Sequence, residues 1–233
     1  MTPPTSKRSL LQLLSRTILF GGQPDAVLAE IAEGMQEVRY AAGAQIFARG
    51  DPGDALFLVR EGRVRISILA PDGRELSFAH ALASDIFGEI AVLDGSPRSA
   101  NAMALSDVAT LRLSRSNFNR LVDRHSSLAR AVIHLLCARL REVSDHLEDI
   151  ALLPLTARLA RFFLNRLSGQ LGDPRMRVSL GMSQSELALL LGASRPKVNA
   201  ALMSLAQAGP VVRDGEVFSC NPHILAELAQ RDE

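Results

Sequence analysis

Apolar residues at Leu10, Leu11, Leu13, Leu14, Ile18 and Leu19 recur at helical spacing and stop at Gly21-Gly22, which predicts a short helix. Pro24 and Asp25 open a second, with Val27, Leu28 and Ile31 on one face. From Val38 the texture changes to short apolar runs: Gln45-Ile46-Phe47, Ala55 to Val59, Val64 to Leu69 and Glu75 to Phe78. Between them lie the breaks Gly50-Asp51-Pro52-Gly53-Asp54, Glu61-Gly62-Arg63 and Pro71-Asp72-Gly73. Val64 to Ile68 alternates with period two, and Asp-Gly is a hairpin signal. Several short strands separated by turns predict a small antiparallel barrel or jelly roll. An interruption at 87–100 is followed by Ala102 to Leu113, read as the closing strands.

Beyond that point the pattern is helical. Ser116 is a candidate cap for a short helix carrying Phe118, Leu121 and Val122, and Ser126 or Ser127 for a longer one. In the longer helix Ile133, Leu136, Leu140, Val143, Leu147 and Ile150 alternate at steps of three and four, a heptad seam of about two and a half repeats. A solitary amphipathic helix packed on its own domain gives the same pattern. A helix joining two domains has little else to pack against, and this favours a parallel dimer seam. Pro154 places a bend after it.

An apolar helix over Ala157 to Leu164 and a loop from Ser168 to Pro174 come next. Ser183 and Glu186 then form a capping box, Gly192 allows a tight turn, and Ser194 caps a second helix with Pro196 in its first turn. That helix buries Val198, Leu202 and Leu205. Val211-Val212, an Asp214-Gly215 turn and Val217-Phe218 read as a hairpin, or wing. Two helices around a tight turn form a helix-turn-helix, a pattern that any helical hairpin can imitate. Arg195, Lys197 and Asn199 fall at the amino-terminal end of the second helix, where a recognition helix meets bases and phosphates.

Charge refines this picture a little. The net charge of +1 gives no global attraction to polyanions, so nucleic-acid contact must rest on a local patch. From Leu155 onward nine Lys/Arg face seven Asp/Glu, against seventeen and eighteen before it. Two cysteines, Cys137 and Cys220, cannot build a disulfide framework and fit a reducing cytosol. No apolar stretch is long enough to span a bilayer, and the start is a polar tail, so a cytoplasmic protein is expected. No nucleophile–base constellation and no metal-ligand spacing is found; His134 and His146 are twelve residues apart. Neither an enzyme nor a metal site is expected.

The interruption at 87–100 carries the chemistry: Phe87-Gly88-Glu89-Ile90-Ala91-Val92-Leu93-Asp94-Gly95-Ser96-Pro97-Arg98-Ser99-Ala100. Gly88 lets backbone N–H groups approach a ligand closely, and the turn opened at Glu89 aims N–H groups at an anion. Arg98 can meet phosphate oxygens with two parallel bonds, and Ser99 adds a hydroxyl. Glu89 would repel phosphate, and its carboxylate only accepts hydrogen bonds, which suits a ribose hydroxyl. The same residue types also make an ordinary surface turn in which Glu89 and Arg98 pair with each other.

In its order of residues this stretch resembles the phosphate-binding cassette of cyclic-nucleotide-binding domains, including those of the Crp–Fnr (catabolite activator) family. The resemblance covers about Phe20 to Leu228. It implies an α+β fold: a cyclic-nucleotide-binding β-roll (jelly roll) over 1–125, a dimerisation helix over 126–153, and a winged helix-turn-helix DNA-binding domain over 154–233. It implies a nucleotide site at Gly88, Glu89, Ile90, Arg98 and Ser99, with Glu89 on the ribose and Arg98 and Ser99 on the cyclic phosphate. Aligned through Leu152 to Thr156, the family's Thr-Ser pair, which reads the adenine edge, falls on Val143-Ser144, so the threonine hydroxyl is missing. The DNA-binding residues implied are Ser183, Gln184, Ser185, Ser194, Arg195, Lys197 and Asn199. Pro196 and Ala200 stand where the family's recognition helix carries a glutamate and a later arginine, so its best-known operator is not carried over. Ser84 stands where the family usually has glycine.

The function implied is a dimeric, cyclic-nucleotide-responsive transcription regulator, with cyclic AMP as effector and cyclic GMP as the rival. Its partners would be a palindromic double-stranded operator, a second copy of the chain and RNA polymerase. Two alternatives are a cyclic-nucleotide-binding regulatory subunit of a partner enzyme, and a family member sensing haem through His80 or another effector. With the cassette intact, His80 reads as an ordinary β-roll residue.

Overall fold

The computed structural model describes residues 7–70, 75–167, 176–180, 182–214 and 217–229. The expected turns at Pro71 to Gly73 and at Gly215, and the loop from Ser168 to Pro174, lie outside them. The chain forms two compact units, residues 1–75 with 79–141, and residues 76–78 with 142–233.

The first unit opens with α1 (Lys7–Ser15) and α2 (Asp25–Glu33), followed by β1 (Met35–Tyr40), β2 (Gln45–Phe47), β3 (Ala55–Glu61), β4 (Val64–Leu69) and β5 (Glu75–Ala81). After β6 (Ile86–Phe87) come the short helix α3 (Glu89–Asp94), β7 (Asn101–Ala104), β8 (Val108–Ser114), α4 (Arg115–Arg124) and the long helix α5 (Ser126–Leu152). The strands make two four-stranded sheets, ordered β1-β8-β3-β6 and β2-β7-β4-β5. The continuous apolar run of β3 reflects burial on both faces. Ala55, Phe57 and Val59 join one core with Val64, Phe87, Ala102 and Ala104. Leu56 and Leu58 join another with Leu14, Leu28, Ile31, Phe118, Leu128 and Leu135 of the helices. Antiparallel pairing of β3 with β6 sets Phe57 opposite Phe87 and so fixes where α3 begins.

The first helix ends sooner than its apolar spacing predicts. After Ser15 the Thr17 hydroxyl donates to the Leu14 carbonyl (2.8 Å) and accepts from the Phe20 N–H (2.9 Å), which turns Leu19 and Phe20 into the core. Helix α4 is capped by Ser114 and not by Ser116: the Ser114 side chain accepts from Asn117 N–H. Strand β1 escapes prediction because its Met35-Gln36-Glu37-Val38-Arg39-Tyr40 sequence is largely polar, yet it pairs with β8 along its whole length. In the seam of α5, Ile133, Leu136, Leu140, Val143 and Leu147 are 41–67% exposed.

The second unit holds the end of α5 and α6 (Leu155–Leu167), β9 (Met176–Ser179), α7 (Gln184–Leu190), α8 (Arg195–Gln207), β10 (Val211–Asp214), β11 (Val217–Cys220) and α9 (Pro222–Leu228). Strands β10, β11 and β9 form a sheet in that order. Its core gathers Leu159, Phe163, Leu187, Val198, Leu202, Leu205, Phe218 and Leu225. The predicted hairpin is present; β9 and α9 are additions. Helix α9 has a clear start signal, Asn221 accepting from the N–H groups of His223 and Ile224 with Pro222 in the first turn.

Candidate functional site: the 87–100 cassette and the turn between two helices

Gly88 sits at φ +73°, and a Cβ there would lie 2.8 Å from Arg98 Nη1 and 3.2 Å from the Phe47 ring. Gly95, at φ +77°, ends α3. The Asp94 carboxylate then accepts from Ser96 N–H (2.8 Å) and turns the chain back. Arg98 is seated by its backbone: its N–H donates to Asp51 O, and its own carbonyl accepts from Gly50 N–H, both at 2.9 Å.

The Arg98 side chain runs inward and is only 4% exposed. Its Nη1 donates to the Gly88 carbonyl (2.7 Å), and its Nη2 lies 3.7 Å from Asp54 Oδ1. The guanidinium carbon stands 4.3 Å from the Phe47 ring centroid and 5.6 Å from that of Phe57. Phe47, Phe57 and Phe87 are themselves mutually packed, with centroids 5.2–5.9 Å apart. A guanidinium over a ring face is attracted by the ring quadrupole. Burial pulls the Arg98 pKa below its usual value; Asp54 and Asp51 oppose this, and Arg112 and Arg115 add to it. Arg98 Nε is buried and makes no hydrogen bond among the described residues. A buried charge with spare donors fits an anion well.

Glu89 is also buried, at 5% exposure, and its Oε1 lies 3.8 Å from Arg139 Nε of α5. Arg139 Nη2 donates to the Ile86 carbonyl (2.9 Å). Arg98 and Glu89 thus face different partners, and the simple surface turn is not what forms. Ile90 is 45% exposed, and Ser99 is exposed beside the buried Arg98. Val143 and Ser144 are exposed on the part of α5 that belongs to the second unit.

Sequence reasoning missed the aromatic platform, Asp54 as a partner of Arg98, and Arg139. Phe47 and Arg139 are 51 and 41 residues from Arg98. Asp54 was visible only as a turn residue. Tertiary packing, not local spacing, brings these groups together.

In the second unit both halves of the expected capping box are made. Ser183 Oγ accepts from Glu186 N–H, and Glu186 accepts from Ser183 N–H (2.7 Å). Gly192 takes φ +62° in the turn before α8. Ser194 occupies the N-cap position of α8, but its side chain makes no capping hydrogen bond. Ser185, Ser194, Arg195, Lys197 and Asn199 are exposed and Gln184 is half-buried, while the Ser183 hydroxyl is already an acceptor in the cap. Val198, Leu202 and Leu205 are buried beneath them. The result is a helix end with a cationic and polar outer face. Arg158 of α6 braces it from behind, donating to the Leu191 carbonyl (2.6 Å) at the end of α7.

Two family models match the chain: "Cyclic nucleotide-binding domain" over residues 37–125 and "Crp-like helix-turn-helix domain" over residues 157–228. A CRP-like cAMP-activated global transcriptional regulator of Mycobacterium tuberculosis is 31% identical over 208 residues, 88% of this chain and 92% of that one. The cyclic AMP receptor protein of Thermus thermophilus is 36% identical over 191 residues, 82% of this chain and 86% of that one. The structure of FixK2 from Bradyrhizobium japonicum shares the fold, with a TM-score of 0.76 at 24% identity over 85% of this chain and 99% of that one. A nucleotide cassette and a helix-turn-helix on one chain define a cyclic-nucleotide-binding transcription regulator, not an enzyme. The chain belongs to the Crp–Fnr family. No helix among the described residues is long and apolar enough to cross a membrane.

Proposed function

We propose that this protein is a homodimeric regulator that binds cyclic AMP at the 87–100 cassette and, in that state, binds a palindromic operator. The observation that carries the reading is Arg98, a cation held almost wholly out of water with a donor still unused. Arg98 and Ser99 would hold the cyclic phosphate, with Gly88 and Ile90 beside them, and Glu89 would accept from the ribose hydroxyl. Both full-length relatives are named for cyclic AMP, which supports that nucleotide over cyclic GMP. Ser183, Gln184, Ser185, Ser194, Arg195, Lys197 and Asn199 would meet DNA, and the exposed seam of α5 would meet its counterpart in a second copy. Where the family contacts RNA polymerase, this chain would do the same.

The base-reading role of Val143 and Ser144 belongs to the same proposal. Val143 offers no hydrogen bond where a threonine is expected, and a polar group left unpaired costs about 1–3 kcal/mol. This protein should therefore separate cyclic AMP from cyclic GMP less sharply than a relative with both hydroxyls, and Val143→Thr should tighten cyclic AMP selectively.

Calorimetric titration with cyclic AMP and cyclic GMP tests the reading. Arg98→Leu should weaken cyclic AMP by roughly a hundredfold, about 3 kcal/mol, since charge-assisted bonds in a shielded site are the strong ones. Unchanged affinity in a folded Arg98→Leu protein would remove the cassette from the site.

A further inference from the structure

Arg115 opens α4, outside the cassette, yet it fastens both segments that carry the nucleotide-facing groups. Its backbone N–H donates to the Asp54 carbonyl (2.8 Å). Its Nη2 donates to two more carbonyls at once, Gly53 in the 50–54 turn and Ala91 in α3. Ala91 lies in the last turn of a six-residue helix, where carbonyls lack intrahelical partners, so the guanidinium serves α3 as a carboxy-terminal cap. The turn and the helix approach so closely that a Cβ on Gly53 would come within 2.1 Å of the Ala91 Cβ. The brace leaves Arg115 Nε buried and without a hydrogen bond among the described residues, a desolvation cost that a surface arginine would not carry.

The two braced segments are those that hold Glu89 and Arg98. Helix α3 begins at Glu89. The turn holds Arg98 through the Gly50 and Asp51 backbone bonds and through Asp54. We propose that Arg115 is a positioning residue for nucleotide binding: by tying the 50–54 turn to α3 it keeps Arg98 and Glu89 at one separation before ligand arrives. A site ordered in advance loses less freedom on binding. This rests on the cassette reading above.

The test uses the full-length protein and measures displacement of a fluorescent cyclic nucleotide by cyclic AMP and by adenosine, with Arg98→Leu alongside. Arg115→Met, which keeps length and removes every side-chain donor, should weaken cyclic AMP by about tenfold and adenosine by less than about twofold, because it is the phosphate that Arg98 meets. Arg115→Lys, which can still donate to both carbonyls, should restore most of that loss. Should the methionine variant not fold, Arg115→Gln, with one amide donor, takes its place under the same criterion. Cyclic AMP affinity within twofold of the parent, or an equal loss for cyclic AMP and adenosine, would overturn the proposal. If Arg98→Leu also left affinity unchanged, the cassette reading itself would fall; if Arg98→Leu alone weakened binding, only the role of Arg115 would.

Discussion

Ser84 adopts φ +78°, the one described non-glycine residue in the left-handed region. It turns the chain between β5 and β6, held by its N–H to Val59 O (2.9 Å) and by Asp85 Oδ2 accepting from Leu82 N–H (2.8 Å). A side chain there costs roughly 1–2 kcal/mol, and glycine returns part of this through its freer unfolded state. Ser84→Gly should therefore stabilise the first unit by up to about 1 kcal/mol in chemical denaturation; a loss would mean the serine side chain has a role of its own. Burial pushes the Cys220 thiol up to about 11. The neutral thiol is favoured in the folded state, so its contribution is complete below the unfolded pKa near 9 and is lost as pH rises towards 11. Cys220→Ala should flatten the fall in stability over that window, whatever it does at neutral pH. At this scale the candidate site was half legible. Gly88, Glu89, Arg98 and Ser99 fall within one fourteen-residue stretch, whereas Phe47, Asp54 and Arg139 reach Arg98 and Glu89 only through the tertiary fold.

Among the elements, those with strong periodicity or punctuation were readable: β4 from its alternation, α7 and α8 from cap and glycine, and the wing from its apolar pairs. Strands β1 and β9 were not, because β1 is largely polar and β9 is only four residues long. In the proposed dimer, helix α5 is the element that depends most on a second copy of the chain. Exposed Leu140 and Leu147, 67% and 65% accessible, lie on its seam. Leu140→Glu with Leu147→Glu would set like charges against each other in a parallel pair and should give monomers in sedimentation velocity. An intact dimer would place the interface elsewhere. For α8, Arg195→Ala should relax preference at one base position in each half-site, and Lys197→Ala should weaken all duplexes alike and flatten the salt dependence. The same uniform loss from both would make Arg195 a phosphate contact only.

At the scale of the whole molecule, the proposed regulation requires that nucleotide bind one arrangement of the dimer better than another; equal affinity for both would shift nothing. The proposed symmetric dimer would then present two recognition helices to half-sites about one helical turn, roughly 34 Å, apart. With only a modest excess of cationic residues from Leu155 onward, DNA affinity in this proposal should depend on that alignment more than on bulk charge. The most direct test is fluorescence anisotropy on a duplex selected from a random pool, titrated with and without cyclic AMP. The parent protein should bind the duplex at least about tenfold more tightly with cyclic AMP, whereas Arg98→Leu should bind it equally with and without. DNA affinity indifferent to cyclic AMP in the parent, or an undiminished response in Arg98→Leu, would contradict the account.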